Sequence, residues 1–360
     1  SIGKGMAMLG ATAAITIGAL LPAGNVYAAL GEVKSLGMAQ SGLAALRQES
    51  FLFAAQWGDD SSAFIRSAYD IKSAISSLSD DEMPRATRAA GVLAKATKAN
   101  VADMTSYFGT MYGIFQKQAD KMGASSWLEQ LAGKTASAVQ MFKTTGPAMQ
   151  QAFEALGAEG QTFGIDLNEQ MAILGRMQST MSGGEAGTKY LSFLQGIGKA
   201  EGKLGLKFTT DDGRMLGALD ILSKIEGKFG DIDKVADSDL LKEAFGRKEA
   251  VAFIKLLVKQ RDLLKSDIGI LGEQKGMDKA ITMAEAITNP WDRIIQGSKA
   301  LTASLSFDSL LGLIPIMNGV ADAIERVIVM SVQEDFKYII AFFAKSIGYV
   351  LGFVAALGGL

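Results

Sequence analysis

Apolar residues in the middle of the chain recur at intervals of three and four, which places side chains on one face of an α-helix. The clearest stretch contains Phe64, Ile65, Ala68, Ile71 and Ile75 and is followed by a polar cluster. A half-buried strand would instead alternate apolar and polar residues. The pattern therefore predicts an all-α fold, in which an array of short antiparallel helices occupies residues 61–264.

Turn and capping residues mark where these helices begin and end. Ser79 is followed three residues later by Glu82, as in a capping box, and Pro84 lies in the first turn of the helix that would follow. The predicted turns lie at residues 79–83, Gly123, Gly157, Gly184 and residues 211–213. One helical stretch is expected over residues 237–264, and any strand would be a very short one near residues 206–208.

Both ends of the chain are apolar and predict helices that flank this array. Residues 5–31 carry no charge, and residues 338–360 carry only Lys345. Each run is long enough to cross a bilayer, which takes about 20 residues. Gly348 and Gly352 form a Gly-x-x-x-Gly pair, a spacing that lets helices approach closely in lipid. We therefore expect these runs to face other copies of the chain or a membrane.

The N-terminal run also has features of a secretory signal, with Lys4 before the apolar residues and small residues at 28–29. However, the chain begins with Ser1, so we expect it to be part of a longer protein. The abrupt end of the last apolar run at Leu360 leads to the same expectation. An apolar helix that packs against copies or a membrane is thus favoured over a signal peptide.

Composition excludes several kinds of site. The chain has no His and no Cys, so disulfides, zinc sites built on Cys or His, Ser-His-Asp triads and His general bases are all absent. Asp and Glu number 38 against 36 Lys and Arg, for a net charge of −2, which gives no bulk electrostatic reason to bind nucleic acid. The 41 Gly against 5 Pro predict many helix ends or close contacts between helices.

Carboxylate clusters are the remaining candidates for catalysis. They lie at residues 59–60, 80–82, 211–212, 231–233 and 334–335. Each falls in a turn or at a helix N-terminus, where capping and the helix dipole explain an acidic residue. The pair Asp231 and Asp233 lacks the central Gly of a calcium loop and has Lys242 at the place of the closing Glu. We therefore predict no catalytic site, metal or cofactor.

A series of short motifs follows in a fixed order along the second half of the chain. The motif residues are Gly164, Asp166, Glu169, Ala186, Gly187, Thr188, Gly213, Phe245, Gly246, Arg247, Pro290 and Trp291. In this order they resemble phage tail tape measure proteins, a family with a shared helical core module. The resemblance runs from about residue 148 to 329, and residues 67–146 also look similar. It rests on the order of the motifs, because none of them is specific alone.

The resemblance implies a division of the chain into four segments. Residues 1–31 would be an apolar helical segment and residues 32–147 a helical region. Residues 148–290 would form the tape measure core module. Residues 291–360 would be hydrophobic helical segments that act on a membrane.

The resemblance also implies a function and partners. Such proteins are structural, not enzymes; they occupy the tail tube lumen, set tail length, support tube assembly and are expelled to help the genome cross the host envelope. The implied partners are further copies of the chain, as trimer or hexamer, the tail tube and baseplate hub proteins, a tail assembly chaperone and the host inner membrane. No cofactor and no sequence-specific nucleic acid binding are implied. As one helix the chain would span only about 540 Å, so it would be a portion of the ruler.

Two other functions stay open at the level of sequence. One is a bacterial membrane-inserting or pore-forming helical protein, which the apolar ends would suit. The other is a secreted lytic enzyme behind a signal peptide. A longer gene within a tail operon would favour the ruler, whereas a Met a few residues before Ser1 would favour the secreted enzyme.

Overall fold

Helices provide the regular structure of this computed structural model, which describes residues 20–332. The first, α1, covers residues 20–34. The others are α2 (Gln40–Trp57), α3 (Ser61–Ala74), α4 (Met83–Thr97), α5 (Val101–Met122), α6 (Ala124–Met141), α7 (Gly146–Leu156), α8 (Glu159–Thr162), α9 (Leu167–Met177), α10 (Gly183–Leu204), α11 (Ala218–Phe229), α12 (Val235–Phe245), α13 (Lys248–Val258), α14 (Arg261–Glu273), α15 (Asp278–Ile287) and α16 (Pro290–Val332). Between residues 20 and 332, β-pairing is limited to an isolated antiparallel bridge between Thr209 and Met215. The all-α prediction is confirmed.

The chain divides into two units. The first comprises the residues up to Gly37, Arg47–Arg66 and the residues from Asn289 onward. The second comprises Met38–Leu46 and Ser67–Thr288. The second unit therefore holds most of the helical array and, except for Pro290 and Trp291, all the motif residues described above.

In the first unit, α16 packs on the C-terminal half of α2. The Arg47 guanidinium lies 4.2 Å from the centre of the Phe307 ring, a cation–π arrangement. Closer to the start of α16, the Arg293 Nε donates to the Ala55 carbonyl oxygen over 3.1 Å. A Cβ on Gly58 would lie 2.8 Å from the Arg293 nitrogen, so a glycine is needed where the end of α2 meets α16.

The core of the second unit is built around α10, which packs against α7, α12 and α13. Aromatic rings stack on one side of this helix. The Phe193 ring lies 4.3 Å from the Phe253 ring and 5.5 Å from the Phe245 ring, measured between centroids. Tyr190 stacks on Phe253 at 5.1 Å. These four residues are buried and join three helices through one cluster.

In its first two turns, α10 approaches the backbone of α7. A Cβ on Gly183 would lie 1.9 Å from the Ala148 carbonyl oxygen, and one on Gly187 would lie 2.2 Å from the Ala152 carbonyl oxygen. Real Cβ atoms do not come so close to backbone oxygens, so only glycine fits. The spacing of four residues places both glycines on one face of α10. This confirms that close contact between helices is one reason for the high glycine content.

Most predicted turns are confirmed. Helix α3 ends at Ala74 and α4 begins at Met83, which leaves the predicted turn between them. Gly123 and Gly157 end α5 and α7 with φ of +93° and +64°. Residues 211–213 form a turn beside the isolated bridge.

The turn predicted near Gly184 is confirmed, since α9 ends at Met177 and α10 begins at Gly183 after its N-cap Ser182, whose side chain accepts the Glu185 N–H. One predicted helical stretch is interrupted. The continuous helix over residues 237–264 is broken at Gly246, where φ is +82°, and again between Val258 and Arg261. A left-handed glycine stops a helix even where the apolar period continues.

Lys134 on α6 is a buried cation. Its Nζ donates to the Leu271 carbonyl oxygen over 2.7 Å, close to the C-terminus of α14, where the helix dipole favours positive charge. Burial, together with the nearby charge of Lys275, lowers the pKa of Lys134 to about 8, while Asp166 opposes the shift. Keeping this amine protonated therefore lowers the free energy of unfolding.

The free energy of unfolding should therefore depend on pH in a way that a Lys134→Met variant lacks. An unfolded lysine keeps its proton up to a pKa of about 10.4, so above about pH 8 the unfolded state binds more protons than the folded one and stability rises with pH. We expect the parent chain to gain about 1 kcal/mol relative to the variant between pH 8 and 9. Urea unfolding of both chains at each pH measures this, and parallel profiles would contradict it.

Candidate functional site

Some of the carboxylates that sequence analysis weighed as catalytic candidates cap helices in this structure, and those at 334–335 lie outside the described residues. Asp60 precedes α3 and accepts the backbone N–H groups of Ser62 and Ala63 at 2.9 and 3.0 Å. Burial opposes its ionised form, but the hydrogen bond from the Ser62 hydroxyl and these two backbone bonds, helped by the charge of Lys299, outweigh burial and lower the pKa of Asp60. Asp166 accepts the Asn168 N–H at the start of α9 over 2.8 Å. Capping is confirmed for both residues.

Other carboxylates accept N–H groups from helices distant in the sequence. Asp80 accepts the Ala39 N–H just before α2 over 2.8 Å. Glu82 accepts the Ser125 N–H in the first turn of α6 and also bonds the N–H and hydroxyl of Ser79. One acidic cluster thus accepts otherwise unpaired N–H groups at two helix starts, those of α2 and α6, where the helix dipole favours negative charge.

Glu169 behaves differently from the sequence expectation. As the third residue after Asp166 it would complete a capping box on its own helix. Its carboxylate instead accepts the Ala218 N–H at the start of α11. Burial raises the pKa of Glu169, and the nearby charges of Asp166 and Asp220 add to the rise, while the Ala218 bond opposes it. This motif residue joins α9 to α11.

The exposed pair Asp211 and Asp212 also has local partners. Lys207 forms an ion pair with Asp211, and Arg214 with Asp212. Hydrogen bonds from Thr210 and Arg214 lower the pKa of Asp212, so this carboxylate is no general acid near neutral pH. In the part of the chain that the structure describes, no group of three or more acidic side chains is arranged to hold a metal ion.

A groove of about 300 Å³ lies in the first unit. It is lined by Leu21, Pro22, Asn25, Val26, Asp60, Ser61, Ser62, Gln296, Lys299, Ala300 and Ala303. The carboxylate in the groove is that of Asp60, which caps α3. The Ser61 hydroxyl donates to the Ser50 carbonyl oxygen, and the Ser62 hydroxyl donates to Asp60. These three polar groups of the groove thus serve the fold.

The motif residues occupy separate places. Gly164 and Gly213 are exposed turn residues with φ of +76° and +81°. Ala186 and Gly187 are buried in α10, whereas Thr188 is exposed and its hydroxyl donates to the Gly184 carbonyl oxygen over 2.8 Å. The structure does not bring these residues together into one site.

The later motif residues serve packing and helix ends as well. Phe245 lies in the aromatic stack, and the Gly246 N–H donates to the Lys242 carbonyl oxygen over 2.8 Å to close α12. Arg247 is exposed just before α13. Pro290 starts α16, and Trp291 follows it with 69% of its surface exposed.

Trp291 begins a row of exposed apolar side chains on α16, here called the α16 stripe. The stripe consists of Trp291, Ile294, Ile295, Leu301 and Leu305, which are 49% to 75% exposed. Ala300, Ala303, Phe307 and Leu310 on the same helix are buried. Because helical positions repeat every 3.6 residues, the stripe lies roughly opposite this buried face. Exposed apolar side chains that form a continuous row are unusual on the surface of a soluble monomer.

Sequence analysis predicted residues 291–360 as hydrophobic helical segments that act on a membrane, but it did not resolve the stripe and named side chains for this role only in a more distal segment. Lys345, Gly348 and Gly352 were predicted to act in self-association or in a membrane, and they lie outside the described residues. The signal for the stripe was present: apolar residues spaced by three and four on two sides of one helix. By length and composition alone, Pro290–Arg326 is the one described helix apolar enough to cross a membrane, a test that a buried helix can also pass.

Comparison with known families identifies one match. The model of a family described as phage-related minor tail protein matches residues 48–246, which is more than half of the 360 residues. The matched region runs from within α2 to the end of α12 and includes the motif residues up to Gly246. Comparisons with curated proteins and with solved structures find no match.

Proposed function

Because this chain belongs to the phage-related minor tail protein family, we propose that it is a portion of a tail tape measure protein. Family membership indicates a structural role in a phage tail and a location in the virion tail. The proposal goes further and assigns the chain to the ruler, which lies in the tube lumen, sets tail length and supports tube assembly. The family match over the helical array carries the proposal.

The internal chemistry supports a structural role. The carboxylates at Asp60, Asp80, Glu82, Asp166 and Glu169 accept backbone N–H groups at helix starts. Motif residues such as Gly187 and Phe245 serve packing. We therefore propose that the chain is not an enzyme and uses no cofactor. Its motif residues would be retained because they hold the helical module together.

The α16 stripe supports contacts beyond the single chain. When one of two apolar faces of a helix stays in water, the protein does not gain the favourable free energy that burying this face would provide. Copies of the chain, as a trimer or hexamer, would cover the stripe inside the tail, and tube, baseplate hub and chaperone proteins would be the other partners. After ejection, a bilayer would cover it. Lys345, Gly348 and Gly352, which lie outside the described residues, are likewise proposed to act in self-association or in a membrane.

The alternative is a bacterial membrane-inserting protein that is no part of a virion. The apolar character of α16 favours it, since a hydrophobic helix of this length suits a bilayer regardless of the source of the protein. The genes beside this one discriminate between the two. A tail operon supports the ruler, and its absence supports the alternative.

Tail length is the direct test of the ruler. In a phage that carries this gene, an in-frame deletion of residues 48–246 is expected to shorten the tail, by up to about 300 Å if that region is fully extended as helix. A duplication of the same residues should lengthen it. Electron microscopy of purified particles measures both. Particles that contain the altered proteins but keep tails of the parental length would refute a ruler and leave a tail protein of another kind.

A further inference from the structure

The segment from α14 through α15, residues 261–287 and here called the strap, buries little apolar surface for its length. Helix α14 buries Leu264, Asp267 and Leu271, and α15 buries Ala280 and Ala284. Met277, Ile281 and Met283 are half-buried. The preceding helix, α13, buries six apolar residues in a single helix: Ala250, Val251, Phe253, Ile254, Leu257 and Val258. Apolar burial is the main favourable contribution to docking a helix, so the strap is held less firmly.

Polar contacts make up much of what holds α14. Arg176 on α9 pairs with the largely buried Asp267 and also donates to the Gln260 side chain. Arg261 pairs with Glu226 on α11, and Lys134 donates to the Leu271 carbonyl oxygen. The desolvation of buried charges offsets much of their attraction. These contacts therefore fix the position of the strap more than they stabilise it.

The turn between α14 and α15 lies directly on the backbone of α6. A Cβ on Gly133 would lie 1.9 Å from the Gly276 carbonyl oxygen and 3.4 Å from the Met277 Cα. Backbone therefore packs on backbone here, without a side chain between. The three atoms nearest to a methyl group at Gly133 all belong to the strap, so an alanine there would push on the strap first.

We propose that residues 261–287 form a detachable strap, which opens as a unit from α4, α6, α9 and α11 while α10 and its core partners stay folded. Segments with few buried apolar contacts open at lower free energy than the core of a protein. Opening would uncover the sides of α4 and α6 on which α15 packs. This inference rests on the contacts alone and does not depend on the role in the tail.

The test uses the absence of cysteine from the chain, which makes one introduced thiol a unique probe. Ala284→Cys places the thiol in the strap, and Ala152→Cys places it in α7; both alanines are fully buried. Alkylation of the full chain under native conditions reports how often each position opens. We expect the strap position to react at least about 100-fold faster than the α7 position. Equal rates would mean that the strap opens only when the whole unit unfolds, and would overturn the proposal.

A second substitution loosens the strap selectively. Gly133→Ala, added to each thiol variant, is expected to speed labelling at position 284 by about tenfold or more and to leave position 152 unchanged. Gly113→Ala in α5 is the matched control, because nothing lies within 4 Å of its Cβ; it should change neither rate. Equal acceleration at both positions by Gly133→Ala would contradict a strap that opens independently.

Hydrogen exchange on the unsubstituted chain removes any effect of the new thiol itself. Amides in α14 and α15 are expected to exchange through an opening that leaves the α10 amides protected. Denaturant should change the exchange of the strap less steeply than that of α10, because a local opening exposes less surface than global unfolding. Identical protection and identical denaturant dependence in the strap and α10 would overturn the proposal.

Discussion

Replacing Phe193 with alanine is expected to lower the free energy of unfolding by about 3–5 kcal/mol, the range for removing a fully buried aromatic side chain. Phe193 is 0% exposed and stacks on both Phe245 and Phe253. The substitution removes the ring that joins α10 to α12 and α13, and the surrounding helices close the resulting cavity only in part. Urea unfolding followed by circular dichroism measures the loss.

Phe163→Ala provides the comparison for this prediction. Phe163 is 37% exposed after the short helix α8, so its truncation leaves no closed cavity and should cost less than about 1 kcal/mol. A loss at Phe193 no larger than at Phe163 would show that the aromatic stack does not organise the second unit. The m-value should stay unchanged in both variants if the unfolded state is unaffected.

The helical fold could be predicted because its signals are local. Phe64, Ile71 and Ile75 report a helix through spacing alone, and Asp166 reports a helix start through the reach of its own side chain to Asn168. Glycines at helix ends, such as Gly123, follow from the left-handed backbone that they permit. Each of these inferences needs only a few neighbouring residues.

Contacts between distant residues could not be predicted in the same way. From its position in the sequence, Glu169 is expected to cap its own helix, α9. Its carboxylate instead accepts the Ala218 N–H at the start of α11. Gly246 ends a helix although the apolar period continues beyond it. Whether a glycine here is tolerated within a helix or ends it depends on the packing of Phe245 into the aromatic stack. In each case tertiary packing decided between local alternatives that the sequence left close in free energy.

The functional assignment had the same limits. The order of motif residues was informative about the family, whereas the geometry shows that residues such as Thr188 and Phe245 share no site. Residues 291–360 were predicted as hydrophobic helical segments, but the stripe within them could not be told from a core face, because apolar residues on a helix are ordinarily core residues. The exposure of Trp291 and Leu305 makes this distinction.

Replacing Gly187 with alanine is expected to lower the free energy of unfolding by about 2 kcal/mol, as for a side chain forced into a well-packed contact. The new Cβ would meet the Ala152 carbonyl oxygen at 2.2 Å and the Ala155 Cβ at 2.8 Å. Because the nearest atom belongs to the backbone of α7, no rotamer change relieves the clash. Helix α10 would have to move away from α7, and urea unfolding measures the loss.

Gly198→Ala on the same helix is the matched control. Gly198 is exposed, and nothing lies within 4 Å of the position of its Cβ. Alanine there should raise the free energy of unfolding by about 0.5–1 kcal/mol, since it has the higher helix propensity. The two substitutions add the same methyl group to the same helix and are expected to act in opposite directions. If both substitutions stabilised the protein, α10 would lie farther from α7 than it does in this structure. Close packing would then not explain the glycine in the Ala186–Thr188 motif.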